Sequence, residues 1–180
     1  GFKLELKPAF HKVFASCQQT FLAIDTAADF HHNATGLGSL QRAGCPTELA
    51  LAMPFTPTPD YNLDPAYYPD EPLAIGPAWR RDDEWHALST LSTGLDSHLE
   101  GLVDRPDCQE FQITYQAENQ EVCEHYHLTA GRLSLRVQAA NADAIRLRPL
   151  LAFTRLLAFL RQLAHFLRRI ILSSFANAYV

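Results

Sequence analysis

The chain has 180 residues, is 47% hydrophobic and 11% aromatic, and carries a formal charge of −5. That length and apolar content suffice for a buried core without disulfide staples, and the acidic balance excludes general nucleic-acid binding, which needs a basic face to displace counterions from phosphates. The average conceals an asymmetry: residues 149–180 hold four arginines and no Asp, Glu, Lys or Gly, so this end is +4 and the preceding 148 residues are −9. Two segments of different character are expected, a domain over 1–148 and a basic tail over 149–180.

Phe2, Leu4 and Leu6 alternate with Lys3, Glu5 and Lys7, the period of a strand with one wet face, and Pro8 ends it. With no initiator Met, charged leader or apolar run at its start, the chain reads as cut from something longer, which leaves the compartment open. Phe10 to Ala15 and Thr20 to Thr26 read as the next two strands. Then Asp29-Phe30-His31-His32-Asn33-Ala34-Thr35-Gly36-Leu37-Gly38 gathers the densest set of chemical groups in the chain, its glycines suited to a turn or bulge. Adjacent on a strand, His31 and His32 would point to opposite faces. One of them with Asp29 or Asp25 therefore fits a metal, and zinc accepts such a mixture of imidazole and carboxylate. Either histidine is also a candidate catalytic base; the competing reading is a surface turn in which His and Asn cap backbone groups. Asn33-Ala34-Thr35 is in addition a glycosylation sequon.

Thr47 to Met53 alternates again. Eight of the eleven prolines fall between Pro46 and Pro77 and make 54–78 a long irregular loop, which in a compact domain is usually functional or packs over a neighbour. It carries Tyr61, Tyr67 and Tyr68, which with Trp79 and Trp85 could form platforms for sugar rings, packing being the alternative. Arg42, Arg80 and Arg81 suit a substrate carboxylate, which a guanidinium fork matches in two bonds, or else a solvated surface.

The clearest architecture follows. Glu110–Gln116, Glu121–Leu128, Arg132–Gln138 and Ala144–Arg148 alternate, and turn signals at Glu118-Asn119, Ala130-Gly131 and Asn141-Ala142-Asp143 recur about every eleven or twelve residues, as in an antiparallel meander of a large sandwich. Glu124 falls on the inward face with Val122, Tyr126 and Leu128, and a buried carboxylate needs a partner or a shifted pKa. His125 and His127 face the other way, a legitimate two-ligand arrangement or simply polar surface. Past Pro149 the period becomes 3.6. Leu156, Phe159, Leu160, Leu163 and Phe166 form an apolar stripe opposite Arg155, Arg161, His165 and Arg168, predicting an amphipathic helix of about six turns that does not span a bilayer. It would pack on the sandwich, dock on an acidic membrane surface or a partner, or represent read-through sequence. Cys17, Cys45, Cys108 and Cys123 include no C-x-x-C pair and are expected as free or buried thiols, with a Cys108 to Cys123 bridge the alternative in an exported protein.

The fold expected is thus mostly β, an antiparallel sandwich with a C-terminal amphipathic helix. Over residues 1–148 the chain resembles the β-sandwich, or supersandwich, domain of heparinase II/III-like polysaccharide lyases. Around the zinc site that family's pattern is Asp-His-x-His-x-Asp-x-Gly, and Asp29, His32 and Gly36 match its first, fourth and eighth places, whereas Phe30 and Ala34 replace the second-place His and sixth-place Asp. Glu124 to Leu133 likewise resembles the E-x-Y-x-L-T-x-G passage of supersandwich domains in carbohydrate enzymes. The resemblance implies a structural zinc near Asp29 and His32, an acidic polysaccharide or oligosaccharide as ligand, and a periplasmic or extracellular location. It also implies that β-elimination beside a uronate carboxylate is carried out mostly by an α-helical domain upstream, so that this chain is a module not catalytic alone. A structural or interaction module with no glycan ligand is the alternative.

Overall fold

A computed structural model describes residues 1–7, 10–28, 31, 33–45, 74–91, 95–117 and 120–147. Among them the structure is mostly β, in antiparallel sheets consistent with a sandwich, and no α-helix is present. The helix expected over 149–180, the alternating stretch Thr47–Met53 and the greater part of the Pro-rich loop lie outside the described residues.

Three sheets account for the strands. The first is β1 (Phe2–Leu6), β2 (Lys12–Cys17), β3 (Thr20–Asp25) and β4 (Gly36–Arg42), in sequence order. The second places β7 (Leu95–Arg105), β8 (Cys108–Ala117), β9 (Gln120–Thr129) and β10 (Arg132–Ala139) side by side, and the third joins β5 (Pro77–Arg81) to β6 (Glu84–Ala87) and β11 (Ala144–Leu147). The expected meander is therefore correct for β8 to β10 but not for its last member. β11 leaves that sheet and pairs Ile145 with Trp79 on β5.

Two-residue loops close most hairpins, which locks the register of each pair. Gln18-Gln19, Asp82-Asp83, Pro106-Asp107 and Ala130-Gly131 do so. Asp82 and Asp83 both have positive φ, the backbone of a turn whose twist matches that of its strands.

The core lies where the first two sheets meet, with β2 against β8 and β9. Val13, Ala15, Cys17, Leu22 and Ile24 on one side and Phe111, Ile113, Tyr115, Val122, Tyr126 and Leu128 on the other have no exposed surface. Phe111 and Tyr126 are cross-strand partners whose rings stack at 5.0 Å. Fully burying such a side chain contributes roughly 1.5–3 kcal/mol, so these rows supply the main stabilisation.

Edges depart from simple alternation. Pairing with β2 places Phe2 and Leu4 on the face away from the core, beside Phe14 and Phe21, and leaves each 48% exposed. The expected wet face of β1 is thus its apolar one. Lys3 turns inward instead and reaches past Gly101, whose lack of a side chain leaves it room, to lie 6.0 Å from the Phe111 ring. Gly38 is skipped between the Ala23–Ser39 and Ile24–Leu37 pairs, the bulge its sequence suggested. Gly36, at φ +127°, lets β4 approach Ile75, and Leu37 and Ile75 exchange two backbone bonds of 2.8 and 3.0 Å that tie the returning chain to the first sheet.

Candidate binding face

Alternation sends the second set of side chains on β8, β9 and β10 outward. The hairpin register sets Glu110 opposite His127 and Gln112 opposite His125, while the next hairpin sets Arg136 opposite His125 and Ser134 opposite His127. Glu110 and the two imidazoles thereby meet. His125 Nε2 lies 2.9 Å from Glu110 Oε1, and His127 Nδ1 lies 3.5 Å from Oε2. One carboxylate thus bridges two half-buried rings and restrains both.

A depression of about 480 Å³ opens over Glu110, His125, His127, Ser134 and Arg136, and a second of about 210 Å³ continues along Gln112, Cys123, Arg136 and Gln138. Leu102, the residue skipped where the register of β7 shifts between Gly101 and Val103, borders the second. The result is an open trough lined by imidazole, guanidinium, amide and carboxylate groups together with Leu102, Cys123 and Leu135, with room for an amphipathic ligand lying across strands.

Of the residues singled out in the histidine segment, Asp29 and His32 lie outside the described residues and His31 is exposed. Asp25, the other acid considered for a metal there, is buried and already partnered: Lys12 Nζ donates to its two oxygens at 2.8 and 2.7 Å, and Asn33 Nδ2 donates at 2.8 Å. Burial holds its pKa above the usual carboxylate value even against the Lys12 charge. An ammonium thus occupies the place a cation would take, so Asp25 does not extend a zinc site. The sequon asparagine spends its amide on Asp25, and Thr35 is buried, accepting from the Ala28 N–H at 2.9 Å and donating to the Leu91 carbonyl at 3.2 Å. Asn33 and Thr35 thus brace the chain.

Of the candidate sugar and carboxylate contacts, those among the described residues do not border the trough. Tyr61, Tyr67 and Tyr68 lie outside the described residues. Trp79 is only 3% exposed and its ring stacks on His86 at 6.1 Å, so it has no open face for a sugar. Arg80 is half-buried on β5, with no hydrogen-bond partner for its Nε among the described residues. Arg42 is exposed at the end of β4, its guanidinium against Gly131 in the β9–β10 turn. Arg146 covers the Trp85 ring at 3.9 Å, a cation–π contact.

Behind the trough, on the opposite face of β9, Glu124 is wholly buried. Its Oε2 accepts from Tyr115 at 3.0 Å and from Tyr126 at 2.9 Å, while Oε1 has no partner among the described residues. Desolvation raises its pKa to about 7 although both phenol bonds favour the charged form. The anticipated inward carboxylate thus has both partners and a shift, but it does not reach the trough.

Among the described residues, no group of three or more His, Cys, Asp or Glu side chains converges as a metal cage. The four cysteines are free thiols, and Cys108 and Cys123 pair with Thr129 and Thr114 rather than with each other. No protein-family model, curated protein or solved structure matches the chain.

Proposed function

We propose that the chain is a carbohydrate-associated module of supersandwich-like architecture that binds uronate-containing oligosaccharide and does not catalyse its cleavage alone. The observation that carries this reading is the trough on β8–β10. Arg136 supplies a fork for a uronate carboxylate, while Gln112, Gln138 and the imidazoles held by Glu110 offer planar groups for hydroxyls. An open polar trough fits an extended, solvated ligand better than a compact apolar one, whose binding needs an enclosed pocket. The sequence resemblance to heparinase II/III-like domains points to the same ligand class. Placement near a catalytic cleft would come from a helical domain upstream. Calorimetric titration of the chain with uronate oligosaccharides tests the proposal: heat is expected with acidic glycans and is expected to fall at least tenfold in affinity in Arg136→Ala. No heat with any acidic glycan overturns it.

A second reading, an interaction module without a glycan, has its own observation. Phe2 and Leu4 present apolar surface beside the stacked Phe14 and Phe21 rings, 5.8 Å apart, on the outer face of the first sheet. Contiguous exposed apolar surface is a common mark of protein contacts. Sedimentation velocity separates the readings, because concentration-dependent association abolished by Leu4→Ser, together with absent glycan heat, selects the second.

A further inference from the structure

We propose that His125, His127 and Glu110, in the trough that the glycan reading also uses, form a binding site for a divalent transition metal such as zinc or nickel, separate from the histidine segment at 31–32. His125 and His127 are two apart on one strand, so both imidazoles project from the same face, and the hairpin sets Glu110 directly across from the second. Imidazole and carboxylate are the ligand mixture that borderline divalent ions accept. The ligands come from adjacent paired strands, whose backbones are held by ladder bonds, so little order has to be created on binding.

Ligands on a tetrahedral ion at about 2.0–2.2 Å lie a little over 3 Å from one another; the 2.9 and 3.5 Å nitrogen-to-oxygen distances here are contacts of each imidazole with its own carboxylate oxygen, which gather the three groups without yet forming that arrangement. At present the carboxylate lies between the rings and each oxygen faces one nitrogen, so the donors do not converge on a single point. In this form the carboxylate contacts the imidazole nitrogens that a metal would use. A side-chain rotation at Glu110, half-buried and bordering open space, would bring the three together. Three protein ligands leave a position for water or an exogenous ligand, and Arg136, which borders the same depression, favours an anion there.

The test is calorimetric titration of zinc chloride and nickel chloride into the full chain after dialysis against chelator, with magnesium and calcium chloride as controls. One site of micromolar affinity is expected for zinc and nickel, with no heat from the hard ions. His125→Ala and His127→Ala should each weaken it at least tenfold, and Glu110→Gln several-fold. The His31→Ala, His32→Ala double variant should leave it unchanged. Glu110, His125 and His127 are partly exposed and His31 is exposed, and far-UV circular dichroism verifies that each variant is folded. Absence of a zinc or nickel isotherm overturns the proposal, as does one that survives both His125→Ala and His127→Ala. Loss in the 31–32 variant instead would assign the metal to the other segment and likewise overturn it.

Discussion

Glu124, wholly buried, carries two phenol bonds on one oxygen and, among the described residues, none on the other. Its folded pKa of about 7 lies above the reference 4.5, so between those values the folded state binds a proton that the unfolded chain has released. Stability from this group is therefore full below pH 4.5 and is lost as pH rises through 7. The shift corresponds to about 3 kcal/mol. Melting temperature should accordingly fall between pH 5 and 8, and Glu124→Gln, similar in shape but uncharged, should flatten most of that slope and melt higher than the native chain at pH 8. Asp25, also raised, adds a slope of the same sign that the variant retains. A native chain whose stability rises over the same interval would contradict this assignment. Tyr126→Phe should cost about 1–3 kcal/mol in denaturant unfolding, since it strips one of two donors from a buried acceptor.

Strands whose sequence alternates cleanly were legible, and those interrupted by special backbone were not. Turn signals at Glu118-Asn119 and Ala130-Gly131 fix the β8–β9 and β9–β10 registers; counting outward from them brings Glu110 to His127 and Arg136 to His125. The trough was thus latent in residues already read as turns, although His125 and His127 alone look like ordinary polar surface. β4 was hidden because it runs through Gly36 and a bulge at Gly38, and β7 because Gly101 and Leu102 break its alternation. Burial of Trp79 was not legible, because it depends on the third sheet, and β5 and β11 are far apart in sequence. Gly36→Ala tests the close approach of β4 and Ile75. A methyl group there would stand 2.6 Å from the Ile75 carbonyl at a φ that side chains avoid, so a loss of about 2 kcal/mol or more is expected. Ile113→Ala, at the centre of β8, should cost about 2–5 kcal/mol. Leu4→Ala, on the exposed side of β1, should cost less than about 1 kcal/mol by the area it leaves to lose. Equal losses at the two positions would mean that the outer face of the first sheet is covered after all.

At the scale of the molecule, charge opposes the proposed ligand. Residues 1–148 carry −9, so a uronate chain approaching the trough meets long-range repulsion before it meets Arg136. The two effects differ in reach. The screening length falls from about 30 Å at 0.01 M salt to about 8 Å at 0.15 M, which removes the diffuse repulsion while leaving a contact between guanidinium and carboxylate largely intact. The association rate constant for a uronate oligosaccharide should therefore rise a few-fold across that range, and that for a neutral oligosaccharide should stay level. Arg136→Ala should keep the same salt dependence of association and act on dissociation, shortening the lifetime of the complex, because it removes a contact made only after arrival. An association rate that falls with salt would place the landing surface elsewhere, on a locally basic stretch, and residues 149–180, at +4, are where the chain concentrates its positive charge.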